Sequence, residues 1–208
     1  MRPIVIQSTD TNALQIAADH VRSGGVLVFP TDTVYGLGCG LFMQQSIMRL
    51  YEIKSRDSAK AIAILIADTE QLDEVACDLA PGAVHLAARF WPGALTLVVK
   101  RHPGIPDVLS QLPTVGVRMP DHEFTRQLLR VCGPMAVTSA NQSGMGSGTS
   151  IEQILDQLED RVPLLIDDGI SPGGQPSTVV DCTGTLPIIL REGPISAVKI
   201  QTIWSGNP

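Results

Sequence analysis

Three cations, Lys54, Arg56 and Lys60, lie just before the apolar run 61–67. A polyphosphate ligand needs charge neutralisation and several hydrogen-bond donors, which lysine and arginine side chains supply. Cations are also common at the C-terminal end of a helix, where they interact favourably with the helix dipole. The spacing by itself leaves two interpretations open, a phosphate site and a solvated helix end.

Arg118 stands inside the otherwise apolar segment 114–119, which the sequence predicts to be a strand. A guanidinium group that is buried in a strand needs a partner of opposite charge. That partner is either a carboxylate or phosphate of a ligand, or an acidic side chain of the protein itself. Arg118 is therefore a candidate ligand-binding residue, with a structural ion pair as the alternative.

Small polar side chains follow other apolar segments. Ser139 and Asn141 come at the end of the predicted strand 135–139, and hydroxyl and amide groups can bind a base, a ribose or a phosphate. The same residue types also serve ordinary turns and caps. The Gly/Ser-rich loop 142–149 can wrap a phosphate with its backbone N–H groups or act as a flexible linker.

The stretch 26–40 starts with four apolar residues. A polar run around Asp32 follows, and then glycines at every second position, Gly36, Gly38 and Gly40. A buried strand that ends in small polar residues is a common way for α/β proteins to build a ligand site. We expect a ligand-binding loop here, in which the glycines allow the backbone to turn.

The chain lacks the standard motifs of several enzyme classes. It contains no G-x-x-x-x-G-K-[ST] phosphate loop and no G-x-G-x-x-G dinucleotide fingerprint. It also contains no H-E-x-x-H zinc motif and no G-x-S-x-G nucleophile elbow. The four histidines are scattered rather than at metal-ligand spacing, so we assign them surface or packing roles.

Length and composition predict a single folded domain with an aliphatic core. The chain has 208 residues, of which 44% are hydrophobic and 4% aromatic. Its net charge of −6 argues against a mainly electrostatic nucleic-acid binder, although a local basic groove remains compatible with it. Four dispersed cysteines, no signal-peptide pattern and no membrane-length apolar run predict a cytoplasmic protein with reduced thiols.

Hydrophobic periodicity places the candidate residues on alternating strands and helices. The predicted strands are 4–6, 26–29, 61–67, 94–100, 114–119, 135–139, 163–167, 178–182 and 188–191. The predicted helices are one capped by Asp10 or Thr11, then 44–54, 69–77, 81–90, 121–129 and 151–159, the last capped by Thr149 or Ser150. Several strands follow one another without a helix, so the fold class is α/β (α+β) with a mixed sheet.

Seven segments in a fixed order carry a family resemblance. They are FPTDTVYGLG at 29–38, KSR at 54–56, WPGALT at 91–96, VRMP at 117–120, SAN at 139–141, STV at 177–179 and LREGP at 190–194. Together they closely resemble the YrdC-like family, whose characterised members are threonylcarbamoyl-AMP synthases. The similarity covers nearly the whole chain, and an ordered series of motifs is far more specific than any one of them.

The resemblance implies a single YrdC-like domain over residues 1–208, with a twisted, mostly open mixed sheet, helices packed outside it and a concave basic cavity. It implies that L-threonine, bicarbonate and ATP, accompanied by Mg²⁺, give threonylcarbamoyl-AMP and pyrophosphate. That product serves the threonylcarbamoyladenosine modification of tRNA, which implies a transferase that receives it. Some family members are described as double-stranded RNA or tRNA binders.

Position by position, the resemblance also assigns site residues. The implied threonine contacts are Thr33, Arg118, Ser139 and Ser177; the implied ATP contacts are Lys54, Arg56, Lys60, Thr114, Asn141, Thr149 and Arg191. Both reacting partners are anions, so Lys54 and Arg56 are the catalytic candidates that would offset their repulsion. Arg118 would clamp the threonine carboxylate. No protein metal ligand and no general base is identified.

Two departures from the family pattern and two alternative functions accompany this expectation. The Pro that often follows the arginine at position 56 in the family and the Pro or Gly that often follows Lys60 are absent, and Leu65 stands where some members have a histidine. The Ser-x-Asn element of the active branch is present at 139–141. The alternatives are a non-catalytic RNA-binding or ribosome-assembly protein that uses the same cavity, and a synthase for another amino acid.

Overall fold

One open mixed sheet organises the protein in a computed structural model, which describes residues 3–55, 57, 60–158 and 161–206. Its strands are β1 (Ile4–Gln7), β2 (Leu27–Phe29), β3 (Gly36–Gly40), β4 (Ala63–Leu65), β5 (Leu95–Lys100), β6 (Thr114–Arg118), β7 (Met135–Ser139), β8 (Leu164–Asp167), β9 (Thr178–Asp181) and β10 (Ile188–Arg191). Their spatial order is β1-β8-β2-β3-β7-β4-β6-β5-β9-β10. The sheet contains parallel pairs such as β4–β6 and β5–β9 and antiparallel pairs such as β3–β7 and β5–β6. The predicted open mixed sheet is therefore confirmed.

Helices cover both faces of the sheet. They are α1 (Ala13–Arg22), α2 (Gln44–Lys54), α3 (Leu72–Val75), α4 (Pro81–Phe90), α5 (Glu123–Cys132), α6 (Ile151–Leu158) and α7 (Ala197–Trp204). Within the described ranges, no helix combines the length and the apolar character that crossing a bilayer requires.

The two faces of the sheet carry separate apolar layers. On the first face, Leu95, Leu97 and Val99 of β5 join the larger layer with residues of α2, α4 and α6. On the second face, α1 and α5 pack against β2, β8 and their neighbours in a smaller layer. Each buried leucine or valine contributes about 1.5–3 kcal/mol relative to an exposed one. The second face is left uncovered where β4, β6, β5 and β9 lie side by side, and this gap holds the cavity described below.

The predicted glycine-rich loop was wrong, because Gly36, Gly38 and Gly40 form strand β3 instead. This strand pairs antiparallel with β2 and with β7. A Cβ on Gly38 would lie 2.9 Å from Cε1 of Phe29 and 3.0 Å from the carbonyl oxygen of Ala136. Gly36 and Gly38 therefore make room for the Phe29 ring on the second face, whereas a Cβ on Gly40 would meet Met43. The loop is confined to the polar residues before these glycines.

Other elements differ from prediction at their ends. The apolar run 61–67 yields only the short strand β4, and the predicted helix 69–77 is a 3-10 turn followed by the four-residue helix α3. Helix α7 was not predicted. A Cβ on Gly82 of α4 would lie 2.3 Å from the Trp204 ring, so α7 is set by tight packing on α4 rather than by a strong local signal.

Candidate functional site

A cavity of about 290 Å³ opens on the uncovered part of the second face. Its floor consists of small side chains, including Ala63 of β4, Thr96 of β5 and Gly116 of β6. A Cβ on Gly116 would already lie 3.1 Å from Cγ2 of Thr96. Small residues in the middle of these strands therefore create the space, and the loop 30–35 and the chain ends of β7, β9 and β10 build its walls.

Arg118 lies at the end of β6 and is held by protein groups on three sides. Its Nε donates to the carbonyl oxygen of Gly93 at 3.0 Å and its Nη1 donates to Oγ1 of Thr33 at 2.7 Å. Its Nη2 forms an ion pair with Oδ1 of Asp32 at 2.5 Å. Burial lowers the pKa of Arg118, and the charge of Asp32 opposes that change. The structural ion pair considered from the sequence is therefore present, and two of the five N–H donors of the guanidinium stay available to a ligand.

The loop 30–35 is fixed by hydrogen bonds within itself and to the segment after β8. Oγ1 of Thr31 donates to the carbonyl oxygen of Val34 at 2.6 Å and accepts from the backbone N–H of Thr33 at 3.2 Å. Oγ of Ser171 donates to the carbonyl oxygen of Thr33 at 3.0 Å. These hydrogen bonds hold the loop in place, although the loop consists of small residues and has an irregular backbone. The loop thus presents Thr33 to the cavity.

Tyr35 connects the same loop to the sheet. Its hydroxyl donates to the carbonyl oxygen of Gly169 at 2.8 Å and accepts from the backbone N–H of Asp168 at 2.9 Å. Burial, together with the nearby carboxylates of Asp167 and Asp168, raises the pKa of Tyr35 to about 12. The phenol therefore stays protonated at neutral pH and acts as a structural hydrogen-bond donor.

A second polar group stands on the opposite wall, where β9 and β10 meet. Oγ of Ser177 lies 2.8 Å from Oγ1 of Thr96. Arg191 donates from Nη2 to the carbonyl oxygen of Ser177 at 2.7 Å and to its Oγ at 3.2 Å. Desolvation lowers the pKa of Arg191. This wall offers hydroxyl groups and a guanidinium to the same cavity that Arg118 faces.

Lys54 supports a third polar group at the end of β7. It is only 1% exposed, and its Nζ donates to Oδ1 of Asn141 at 3.0 Å and to the carbonyl oxygen of Ser139. Oγ of Ser139 donates to the same Oδ1 at 2.5 Å, and Nδ2 of Asn141 donates to the carbonyl oxygen of Met145 at 2.6 Å. The ammonium group is therefore buried behind Ser139 and Asn141 and orients both of them.

The structure brings all four predicted threonine contacts together. Thr33, Arg118, Ser139 and Ser177 line the one cavity, together with Arg191. Three of the other predicted nucleotide contacts adjoin its lining. Lys54 and Asn141 lie behind Ser139, and Lys60 precedes the lining residue Ala61. Arg56 lies outside the described residues.

Two more predicted nucleotide contacts, Thr114 and Thr149, are not among the described lining residues. Thr114 shares the cavity-facing side of β6 with Gly116 and Arg118, about 13 Å from Arg118 at ~3.3 Å per residue. Thr149 bonds Gln153 of α6 through its backbone N–H at 3.0 Å, and its carbonyl oxygen accepts from Ser171 at 2.8 Å. Their contact with a nucleotide stays a prediction.

Sequence reasoning missed the residues that hold these contacts in place. Asp32 was recognised only as part of a polar run, yet it is the ion-pair partner of Arg118. Thr96 was seen as one residue of a motif, but it lies beside Ser177. The alternation of β5 carries a signal for Thr96, since it is the polar residue on the face opposite Leu95 and Leu97.

These features define a class of protein. It is an α/β protein whose open sheet forms the floor of a preformed polar cavity, and the described lining includes two guanidinium groups, several hydroxyls and no carboxylate. Such a cavity suits a small ligand that carries a carboxylate or a phosphate.

The chain belongs to the Sua5/YciO/YrdC family, whose model carries the description "telomere recombination" and matches residues 19–193. It is 38% identical over 204 residues to the threonylcarbamoyl-AMP synthase of Bacillus subtilis, covering 96% of this chain and 59% of that protein. The crystal structure of Sua5 from P. abyssi complexed with L-threonine superposes with a TM-score of 0.92 and 36% identity, covering 98% of this chain and 61% of that one. The crystal structure of E. coli YciO superposes with a TM-score of 0.83 and 30% identity, covering 96% of this chain and 98% of that one.

The resemblance seen in the sequence is thereby confirmed at the level of family and fold. The chain spans less than two thirds of the length of the first curated relatives that it matches.

Proposed function

We propose that this protein is an L-threonylcarbamoyladenylate synthase, a nucleotidyltransferase that forms threonylcarbamoyl-AMP and pyrophosphate from L-threonine, bicarbonate and ATP. The observation that carries the proposal is the convergence of Thr33, Arg118, Ser139 and Ser177 on one cavity. The fold likeness to a Sua5–L-threonine complex supports an amino acid as the ligand of such a cavity.

The threonine end of the cavity is proposed to lie between Arg118 and Ser177. The two guanidinium N–H groups of Arg118 that the protein leaves unused can bind a carboxylate. Hydroxyl groups of Thr33, Ser139 and Ser177 can accept from the ammonium and bond the side-chain hydroxyl of threonine without filling the space. A rigid ring of small polar groups of this kind orients a small zwitterion at low entropic cost.

The reaction then needs two bond-forming steps. The amine of threonine attacks the carbon of bicarbonate, and loss of water leaves a carbamate. A carbamate oxygen attacks the α-phosphorus of ATP, and the bond to the pyrophosphate oxygen breaks. Because both partners are anionic, positioning and positive charge lower the barrier.

The cations assigned to the nucleotide supply that charge from different positions. Arg191 offers its guanidinium directly at the wall of the cavity. Lys54 lies behind Ser139 and Asn141, so in this conformation it orients these residues and adds its charge from beneath them. Arg56 and Lys60 are proposed to contact the phosphates, with Thr114, Asn141 and Thr149 around the nucleoside.

Mg²⁺ is proposed to arrive with the triphosphate. Among the described residues, no group of three histidine, cysteine or acidic side chains could hold a metal ion. Magnesium retains several waters and is commonly bound through substrate phosphates, which fits a cavity built from hydroxyls and cations. When bound, the ion neutralises part of the charge on the departing pyrophosphate.

The product is proposed to pass to a tRNA threonylcarbamoyl transferase in the cytoplasm. Direct binding of tRNA or double-stranded RNA belongs to the alternative, non-catalytic function. That function predicts an RNA affinity that falls steeply with salt and no consumption of ATP.

A synthesis assay tests the proposal. The protein is incubated with ATP, Mg²⁺, L-threonine and labelled bicarbonate, and threonylcarbamoyl-AMP and pyrophosphate are measured. A folded protein that forms neither product contradicts the proposal. Competition by L-serine tests the choice of amino acid, since the missing methyl group alone is worth only about 1–3 kcal/mol of discrimination.

A further inference from the structure

The two arginines of the cavity differ in how their charge is balanced. Arg118 is 7% exposed and pairs with Asp32 at 2.5 Å. Arg191 donates to Ser177, and none of the ion pairs formed by the described residues includes it. One guanidinium is therefore neutralised by the protein, whereas the other keeps its full positive charge.

Asp32 is placed to balance Arg118 without contacting a ligand. It is not among the residues that line the cavity, and its carboxylate pairs with Nη2 of Arg118. Its Oδ1 also accepts from the backbone N–H of Asp121 at 3.1 Å, which fixes the carboxylate in place. The side chains of Arg118 and Asp32 are only 8% and 15% exposed, so solvent screens their interaction weakly.

This difference in charge decides which anionic group each guanidinium attracts. A neutral Arg–Asp pair still offers directed N–H donors to a singly charged carboxylate. It gives little net attraction to a multiply charged phosphate, whose binding depends on uncompensated positive charge. An arginine without a carboxylate partner retains that attraction.

We propose that Asp32 is a specificity-determining positioning residue, which neutralises Arg118 and so suits that guanidinium to an amino-acid carboxylate, leaving the attraction for phosphate to Arg191. The assignment of the carboxylate to an amino acid rests on the proposed function. The preference of phosphate for Arg191 over Arg118 rests on the charge arrangement alone.

The first experiment compares removal of the guanidinium without a carboxylate partner with removal of the neutral pair. Binding of inorganic phosphate is measured by calorimetry at low salt for the wild type, Arg191→Gln and the double variant Asp32→Asn/Arg118→Gln. We expect Arg191→Gln to weaken phosphate binding at least about tenfold and the double variant to change it less than about twofold, because only Arg191→Gln alters the net charge of the two arginines and Asp32. Equal losses in the two variants, or no phosphate binding by the wild type, overturn the proposal.

The second experiment removes the compensating charge. We expect Asp32→Asn to tighten phosphate binding about tenfold, because the guanidinium of Arg118 is then no longer compensated. Even at an effective dielectric of ~20, a unit charge close to a bound phosphate changes the affinity by more than tenfold. Phosphate should then compete with L-threonine in this variant, and adding Arg118→Gln to it should abolish the gain. Asp68→Asn is the matched control, since Asp68 pairs with Arg126 and Arg130 and is not a lining residue.

The outcomes separate this proposal from the proposed function. If Asp32→Asn and Asp68→Asn both leave phosphate affinity at the wild-type value, Asp32 has only a structural role. If L-threonine fails to bind any variant while the phosphate pattern holds, the charge division stands and the amino-acid assignment falls. Circular dichroism checks the fold of each variant, and Arg191→Gln together with the double variant decides the question if Asp32→Asn alone does not fold.

Discussion

Lys54 is the residue whose interpretation changes most between sequence and structure. In the sequence it belongs to a basic segment that fits a phosphate site or a solvated helix end. In the structure it is almost fully buried and donates to Ser139 and Asn141. Its effect on the cavity therefore runs through the orientation of these two residues as well as through its charge.

Replacement of Lys54 by methionine tests this arrangement. Methionine keeps much of the aliphatic stem but leaves the oxygen acceptors of Ser139 and Asn141 without this donor, which we expect to cost about 1–3 kcal/mol of unfolding free energy. We also expect the rate of threonylcarbamoyl-AMP synthesis to fall at least about tenfold. Denaturant unfolding and the synthesis assay measure the two effects.

Lys199→Met is the matched control, because Lys199 is exposed on α7. It should change neither quantity. If Lys54→Met keeps wild-type stability and a wild-type rate, the assigned role of the ammonium group is wrong.

At the scale of elements, strand β3 shows that a glycine pattern that predicts a loop can form a strand. The alternation of Gly36, Gly38 and Gly40 was interpreted as a flexible loop, since glycine favours turns. Strand pairing on both sides overrides that preference. Gly36 and Gly38 lack a side chain that would collide with the Phe29 ring.

Gly38→Ala is therefore expected to destabilise the fold. Its Cβ would lie within 3.0 Å of the Phe29 ring, Val137 and the backbone oxygen of Ala136, and such overpacking typically costs about 1–3 kcal/mol. Denaturant unfolding provides the measurement. Gly146→Ala is the control, because nothing lies within 4 Å of its Cβ position; equal stabilities for the two variants would contradict the packing argument.

Helix α5 is tied to the segment before α3 by a carboxylate. Asp68 accepts from Arg126 at 3.0 Å and from Arg130 at 2.8 Å. These hydrogen bonds, that of Arg130 above all, lower the pKa of Asp68 from 3.8 to about 2. Because the pKa is lower in the folded state, the pair stabilises the fold above about pH 4, and this contribution is lost as the pH falls towards about 2.

Asp68→Asn should remove that pH-dependent contribution. We expect the wild type to be the more stable protein at pH 6, and the difference between the two to shrink to near zero at pH 2. Unfolding free energies from denaturant titrations at several pH values measure this. Asp73→Asn on the exposed side of α3 is the control, and a difference between the wild type and Asp68→Asn that does not vary with pH would argue against the ion pair as its cause.

At the scale of the whole molecule, the cavity exists because one face of the sheet is covered unequally. Helices α1 and α5 cover one end of that face, and small residues lie on the floor where the cover stops. Gly116→Val should fill this space from below, since its Cβ would lie 3.1 Å from Thr96.

We expect Gly116→Val to weaken L-threonine binding at least about tenfold, because the added methyl groups occupy the floor of a preformed site. The cost in unfolding free energy should stay within about 1–3 kcal/mol, the usual range for overpacking. Calorimetric titration with L-threonine measures the effect. Gly184→Val in the turn before β10 is the control, and retention of threonine affinity by Gly116→Val would place the ligand elsewhere.

The sequence by itself determined the class of fold, the family, and the residue types of the site. Strand and helix positions follow from local hydrophobic periodicity, and the ordered motifs identify the family because each is a short run of neighbouring residues. Thr33, Arg118, Ser139 and Ser177 were found in this way, and the structure places them around one cavity.

Only the tertiary structure decided how charges are paired and which residues are buried. Asp32 and Arg118 are 86 residues apart in the chain, and Lys54 and Asn141 are 87 apart, so no local pattern reports their contact. The strand character of 36–40 and the existence of α7 likewise depend on neighbours that are distant in sequence. The physical reason is the same throughout: periodicity records which face of an element is apolar, whereas the partner of a buried polar group is set by the packing of elements against one another.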